Sequence, residues 1–266
     1  MNPRFSSLHR QAGFSLLELL LAMSIFVIIS GAAMSLLNGA QKRYQTEGQM
    51  LSSFQEGRLA VDQIARDVDD AGYPALNQFS AVVPVTNYAQ TPVAWAPGYP
   101  GAACAIGTCT TPGNFDLILE EANISSGNVQ WIHYQLVGTT LYRGAVNKVA
   151  ATDPSVATAM AAVGVMFPYA TNVVNNAPAA QIAQINATYP GTFPGGAPVP
   201  IFSYTCDTGA GGIPTTCPTA GAFNSPANVR DIDVTLIIQT QQKDLQTGQL
   251  RVVTLHGRGH RINPNQ

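Results

Sequence analysis

The sequence predicts an α+β fold in which one long N-terminal α-helix packs on a β-rich C-terminal head with long loops. Three observations lead there. Leu19 to Leu37 is an apolar run of 19 residues without a charge. Proline is absent between Pro3 and Pro74. Sixteen of the 18 prolines then fall between Pro74 and Val229, where short apolar segments alternate with Gly-, Pro- and Thr-rich stretches. Helix-permitting sequence comes first, and strand-and-loop sequence follows.

Charge narrows the function. The 266 residues carry 13 basic and 15 acidic side chains, or 11%, against roughly 25% in an average soluble domain. With a pI near 6.0 and no basic stripe, the chain is not a nucleic-acid module. Apolar residues at 46% argue against long charged disordered tails, and the length allows one or two domains with a real core.

Residues 1–13 form a short leader with Arg4 and Arg10 and no acid. Residues 14–37 form the apolar half of the helix. The 19 residues from Leu19 span about 28 Å at ~1.5 Å each, close to a ~30 Å hydrocarbon core. Basic residues stay on the cytoplasmic side, so the chain crosses the membrane once with its head outside. A cleaved secretory signal fits less well. The run exceeds a usual h-region, no small-x-small site follows it, and Glu18 interrupts its start.

Residues 38–72 form an amphipathic half. Tyr44, Leu51, Phe54, Val61, Ile64, Val68 and Ala71 recur at helical spacing, a stripe expected to pack on the head. Arg58, Asp62, Arg66 and Asp70 follow at four-residue steps as an alternating-sign ladder. The favoured reading of the ladder is a solvated face, and the sharper one a contact with another subunit. Ala71-Gly72-Tyr73-Pro74 ends the helix, and Gly31, Gly39, Gly48 and Gly57 are points where it can bend.

Residues 73–266 form the head. Val129 to Val137, Gly138-Thr139 and Thr140 to Arg143 read as a β-hairpin. Val229 to Gln239 and Leu250 to Leu255 flank a turn at Gln246-Thr247-Gly248 as a second hairpin. Phe115 to Leu119 and Ala161 to Tyr169 are further strands, the latter limited by Pro168. The proline density predicts no helix of any length in the head. Asn77 to Gly113 and Thr171 to Pro226 are expected to be long loops.

Clustered chemistry is scarce. Four cysteines outside the membrane favour disulfides, and proximity pairs Cys104 with Cys109 and Cys206 with Cys217, though three connectivities exist. The spacing is a poor zinc pattern, so no metal is assigned. No nucleophile elbow, zincin or phosphate-loop motif is present, so no catalytic residue, no cofactor and no enzyme activity are assigned. His133 falls in a strand. His256 and His260 fall in a tail, Arg251 to Gln266, expected to be a weak anion-binding patch or a solvated end. Four residues apart in an extended tail, these two rings are not expected on one face. Gly209 to Gly212 after Asp207 lacks the acidic spacing of a calcium loop.

Gly13-Phe14-Ser15-Leu16-Leu17-Glu18, after a basic leader and before the apolar run, resembles the signal of type IV prepilins and type II secretion pseudopilins. The resemblance implies a pilin-like fold and cleavage between Gly13 and Phe14 by a prepilin peptidase. It also implies N-methylation of Phe14 and pairing of Glu18 with the new amine of a neighbouring subunit. A carboxylate in lipid needs such a partner.

Gly57 to Pro74, and the strand pair carrying Tyr134, Leu136, Leu141, Tyr142 and Arg143, resemble minor pilins of the PilW type. That implies an assembly subunit in the inner membrane and then in the pilus, at its tip. There it would join other minor pilins, the major pilin and the assembly platform to prime or cap the filament. The J-type pseudopilins of type II secretion share the helix and the strand pair and are the alternative. A tip adhesin or ligand-binding subunit, using the low-charge loops, is the alternative of another class.

Overall fold

The computed structural model describes residues 15–71, 93–94, 113–122, 129–147, 166–206, 215–217, 229–244 and 247–261. Its spine is α1, Leu16–Asp70, one helix of 55 residues that would extend about 80 Å at ~1.5 Å per residue. It runs unbroken through Gly31, Gly39, Gly48 and Gly57. Ser15 caps its start. At its end Ala71 turns extended while its N–H donates to the Val68 carbonyl oxygen (3.2 Å).

Two antiparallel sheets make the head. The first takes β1 (Val93–Ala94), β2 (Asp116–Ala122), β3 (Val129–Val137), β4 (Thr140–Asn147) and β5 (Met166–Ala170) in chain order. The expected first hairpin is present, turning at Gly138 with φ +61°, a conformation that favours glycine. The second sheet contains β6 (Phe202–Cys206), β7 (Thr215–Thr216), β8 (Val229–Gln239) and β9 (Val252–His260), ordered β7-β6-β8-β9. The expected second hairpin is β8–β9, and β9 runs five residues beyond the expected end at Leu255.

The segment after β5 joins the sheets. Val173 N–H donates to the Thr139 carbonyl oxygen (2.9 Å), and Val174 N–H to that of Ile237 (2.8 Å). Val61, Ile64 and Val68 of α1 then share one core with Leu117, Leu119, Ile132, Tyr134 and Leu141 of the first sheet. Ile232, Val234, Leu236 and Ile238 of β8 complete it, every second residue along the strand.

Three expectations are corrected. The head does contain a helix, α2 (Ala179–Thr188), within what was expected to be loop. Alanine supplies its propensity, and Ile182 and Ile185, one turn apart, are buried with Phe193 and Ile237. The same stretch carries β6 and a buried Asn175. Its Nδ2 donates to the Val199 and Thr235 carbonyl oxygens, and its Oδ1 accepts from Ile237 N–H (2.7 Å). The buried Asn175 side chain thus satisfies backbone groups of β8, the Thr235 carbonyl and the Ile237 N–H, together with the Val199 carbonyl.

The tail is no solvated end up to Arg261. Most of it is β9, and the Arg261 guanidinium is fully buried, with Nη1 donating to the Val229 carbonyl oxygen (2.7 Å).

The helical stripe packs on the head only in part. Val61, Ile64, Val68 and Ala71 are buried, whereas Tyr44 (80% exposed) and Leu51 (56%) face away. At about 100° per residue these two lie roughly 140–160° around the helix from Ile64.

Candidate functional site

The α1 helix is the candidate site, because its ends have opposite surroundings. At the start, Ser15 N–H donates to Glu18 Oε2 (3.0 Å) and Ser15 Oγ accepts from Leu17 N–H (3.3 Å). This is a capping box, and it also sets the Glu18 carboxylate against the positive end of the helix dipole. Gly13 and Phe14 lie outside the described residues. From Leu16 to Leu37 the large apolar side chains are exposed, and this helix is long and apolar enough to cross a membrane.

Further along, glycines seat the helix on the second sheet. A Cβ on Gly57 would lie 2.2 Å from Ile238 Cδ1 and 2.6 Å from Leu255 Cδ1. One on Gly257 would lie 2.1 Å from Val61 Cγ1, and one on Gly259 2.4 Å from Val68 Cβ. Strand alternation turns Gly257 and Gly259 toward α1 and sends His256, Arg258 and His260 outward. The two histidines therefore do share a face, contrary to expectation, but four residues of strand separate them by about 13 Å. Each bonds its own partner across β8: His256 Nδ1 lies 3.1 Å from Thr235 Oγ1, and His260 Nδ1 pairs with Asp231 Oδ1.

Three acids on successive parts of the helix hold the head. Glu56 Oε1 accepts from Thr171 N–H (2.7 Å) and Thr171 Oγ1 (3.1 Å). Asp69 Oδ1 accepts from His260 N–H (2.7 Å). Between them Asp67, 3% exposed, receives Tyr134 Oη (2.6 Å), Arg143 Nη2 (2.8 Å) and Arg143 Nε (3.0 Å) on Oδ2. Gln63 Nε2 donates to its Oδ1 (2.6 Å). Tyr134 and Arg143 are direct partners across β3 and β4, so the hairpin register brings both to one carboxylate. Burial, and then the Asp67 charge, push the Tyr134 hydroxyl up, which keeps it a donor.

The ladder lies elsewhere. Arg58, Asp62, Arg66 and Asp70 are exposed, and Arg58 Nε stands 3.9 Å from Asp62 Oδ2. Cys206 and Cys217 form a disulfide that ties the end of β6 to the residue after β7. Cys104 and Cys109 lie outside the described residues. His133 is buried and bonded to Asp116 Oδ1, a packed histidine. Among the described residues no three His, Cys, Asp or Glu side chains are placed to hold a metal ion.

Residues 8–34 match the family model described as the prokaryotic N-terminal methylation motif. The chain carries a prepilin-type signal. Together with the exposed apolar helix, the match supports a membrane-anchored, type IV pilin-like subunit that a prepilin peptidase processes and that assembles with other pilins. The α+β architecture, a long helix followed by antiparallel sheets, is pilin-like. No curated protein and no solved structure matches the chain.

Sequence reasoning missed Asp67 and the glycine seat. Asp67 sits one residue from Arg66, and only its phase on the helix distinguishes it. A usable signal existed for its partners: Tyr134 and Arg143 flank the first turn symmetrically, and Arg143 is the first lysine or arginine after Arg66.

Proposed function

We propose that this chain is a minor pilin of the PilW type, an assembly subunit that helps prime or cap a type IV pilus by packing rather than by catalysis. The observation that carries the reading is the methylation-motif match on a helix whose first half is exposed and apolar and whose second half is seated on a head. The peptidase would cut between Gly13 and Phe14, and Phe14 would be methylated. Glu18 would exchange its capping contact for the Phe14 amine of a neighbour, a charge-assisted bond strengthened at low dielectric. The face away from the head carries Tyr44, Leu51 and Leu59 (67% exposed) beside the Arg58–Asp62–Arg66–Asp70 ladder. That mixture suits other pilin helices, with apolar contact and paired charges.

In this reading the head stands in the periplasm before assembly and near the pilus tip afterwards, among the other minor pilins and the major pilin. The inner-membrane assembly platform would extract the helix. Mass spectrometry of the membrane-bound chain tests the processing step. The Gly13→Leu variant is expected to keep the leader mass, and processing as in the parent chain would refute the cut. Deleting the gene is expected to reduce surface pili. Undiminished pili with lost protein secretion would move the chain to the J-type pseudopilins, which share the long helix and the Tyr134–Arg143 strand pair.

A further inference from the structure

We propose that the outer edge of β9 takes up a descending strand from a neighbouring pilin subunit, held antiparallel in the channel between that edge and the side of α1 that carries Leu51, Arg58, Asp62 and Asp69. Among the described residues nothing pairs with this edge, since the second sheet is ordered β7-β6-β8-β9. Arg261 N–H donates to the Arg230 carbonyl oxygen (2.9 Å) and Thr240 N–H to that of Arg251 (2.8 Å), so the odd-numbered residues here bond to β8. By alternation Val252, Thr254, His256, Arg258 and His260 turn their N–H and C=O groups to the other side. The His260 N–H shows that sense, because it leaves the sheet and donates to Asp69 Oδ1 (2.7 Å).

Folded proteins blunt such edges, and the other described edges are blunted. β1 and β7 are two residues long, and β5 carries Pro168 at its centre and a register shift against β4. β9 pairs with β8 over nine residues in unbroken register and contains neither proline nor lysine. Its arginine does not guard the edge. Arg258 Nη2 reaches back to Asp231 Oδ2 (2.7 Å), and Nε lies 3.5 Å from Asp233 Oδ1, both on β8.

Direction and side chains specify the occupant. Met50 lies at the level of Arg251, and Asp69 at that of His260. From Met50 to Asp69 the helix rises about 28 Å, and from Arg251 to His260 the strand rises about 30 Å, so the two climb side by side. A neighbour anchored in the same membrane shares that orientation, and its descending strands meet β9 antiparallel, the more stable pairing. Val61 sits over Gly257. At about 100° per residue, Leu51, Arg58, Asp62 and Asp69 lie about 60–100° around the helix from Val61, and the Asp69 bond puts that arc on the edge side. Every second side chain of an added strand faces this arc. Leu51, 56% exposed, stands at its lower end. Higher up, the carboxylates of Asp62 and Asp69 outnumber the Arg58 guanidinium. The fitting strand has an apolar residue opposite Leu51 and a lysine or arginine opposite the two acids. Its other side chains lie beside exposed Thr254, His256 and Arg258 and are polar.

The proposal rests on the pilin reading, and the test separates the two. The photo-crosslinking residue p-benzoylphenylalanine replaces Thr254 or Arg258 of the full-length chain in cells that assemble pili. After irradiation the adducts are sequenced by mass spectrometry. Both probes are expected to join one extended segment of a pilin, the Arg258 adduct lying about four residues nearer that segment's N-terminus than the Thr254 adduct. Thr254→Pro removes an outward N–H, which an edge strand tolerates. It is expected to lower the Arg258 adduct about fivefold or more with thermal unfolding unchanged. Asp62→Lys is expected to lower the same adduct without touching the strand. A parent chain that keeps its leader would overturn the pilin reading and this site with it. A processed chain whose probes capture no pilin, capture one in the opposite order, or give undiminished adduct in both variants would overturn this site alone.

Discussion

Gly259 of β9 lies beneath Val68 of α1 with no space between them for a side chain. A Cβ there would stand 2.4 Å from Val68 Cβ and 2.9 Å from the Ala65 carbonyl oxygen. The second contact is with backbone, so the clash is relieved only by moving the helix. Gly259→Ala is therefore expected to destabilise the head by about 1–3 kcal/mol, the usual range for overpacking. Denaturant unfolding of the full-length chain in detergent measures this, and unchanged stability would show the seat to be loose.

Asp67→Asn should cost more than any change in the exposed ladder. It removes the charge that receives Tyr134 and Arg143 while leaving both groups at the helix–sheet junction. A loss of about 2–3 kcal/mol is expected, below the full buried-pair range because the Arg143 side chain is 26% exposed. Arg58→Ala, which breaks an exposed pair at 3.9 Å, is expected to change stability by less than about 0.5 kcal/mol. Comparable losses in the two variants would contradict this ranking.

The Cys206–Cys217 bridge encloses a short loop of separation 11. Replacing both cysteines with serine should cost about 2–3 kcal/mol on the chain-entropy argument. Thermal unfolding of the double variant against the oxidised parent reads the difference. Thiol titration of the unfolded, unreduced parent chain must find neither cysteine free.

Asp231 makes stability depend on acidity. Burial raises its carboxyl, but the bonds from His260 and Arg258 outweigh that and hold it below the ordinary aspartate value of 3.8. The folded state therefore binds this proton less readily than the unfolded state. Its contribution is complete above about pH 4 and fades as pH falls through the lowered folded value. Parent and Asp231→Asn chains should differ most at neutral pH and converge in acid. A gap that widens on acidification would reverse the sign.

The sequence alone determined the parts that depend on local periodicity. An uncharged run of 19 residues can only be solvated by lipid or by apolar neighbours. Val61, Ile64 and Val68 declared their face because the helical repeat is fixed at 3.6 residues. Both hairpins were legible from strand runs divided by glycine-bearing turns, and so was the Cys206–Cys217 pairing from proximity.

Tertiary structure decided what depends on distance in space. In sequence, Gly257 and Gly259 look like breaks between possible ligand residues. They are the floor on which Val61 and Val68 rest, because α1 crosses β9 at that point. Asp67 reads as one more acid in a charged stretch, and only the β3–β4 register delivers Tyr134 and Arg143 to it. Helix α2 was hidden because proline density around it outweighed a ten-residue alanine-rich signal, and its two isoleucines gain their value only from Ile237 and Phe193. Periodicity is a property of the chain, whereas close approach is a property of the pair of elements that meet. The second cannot be read until both have been placed.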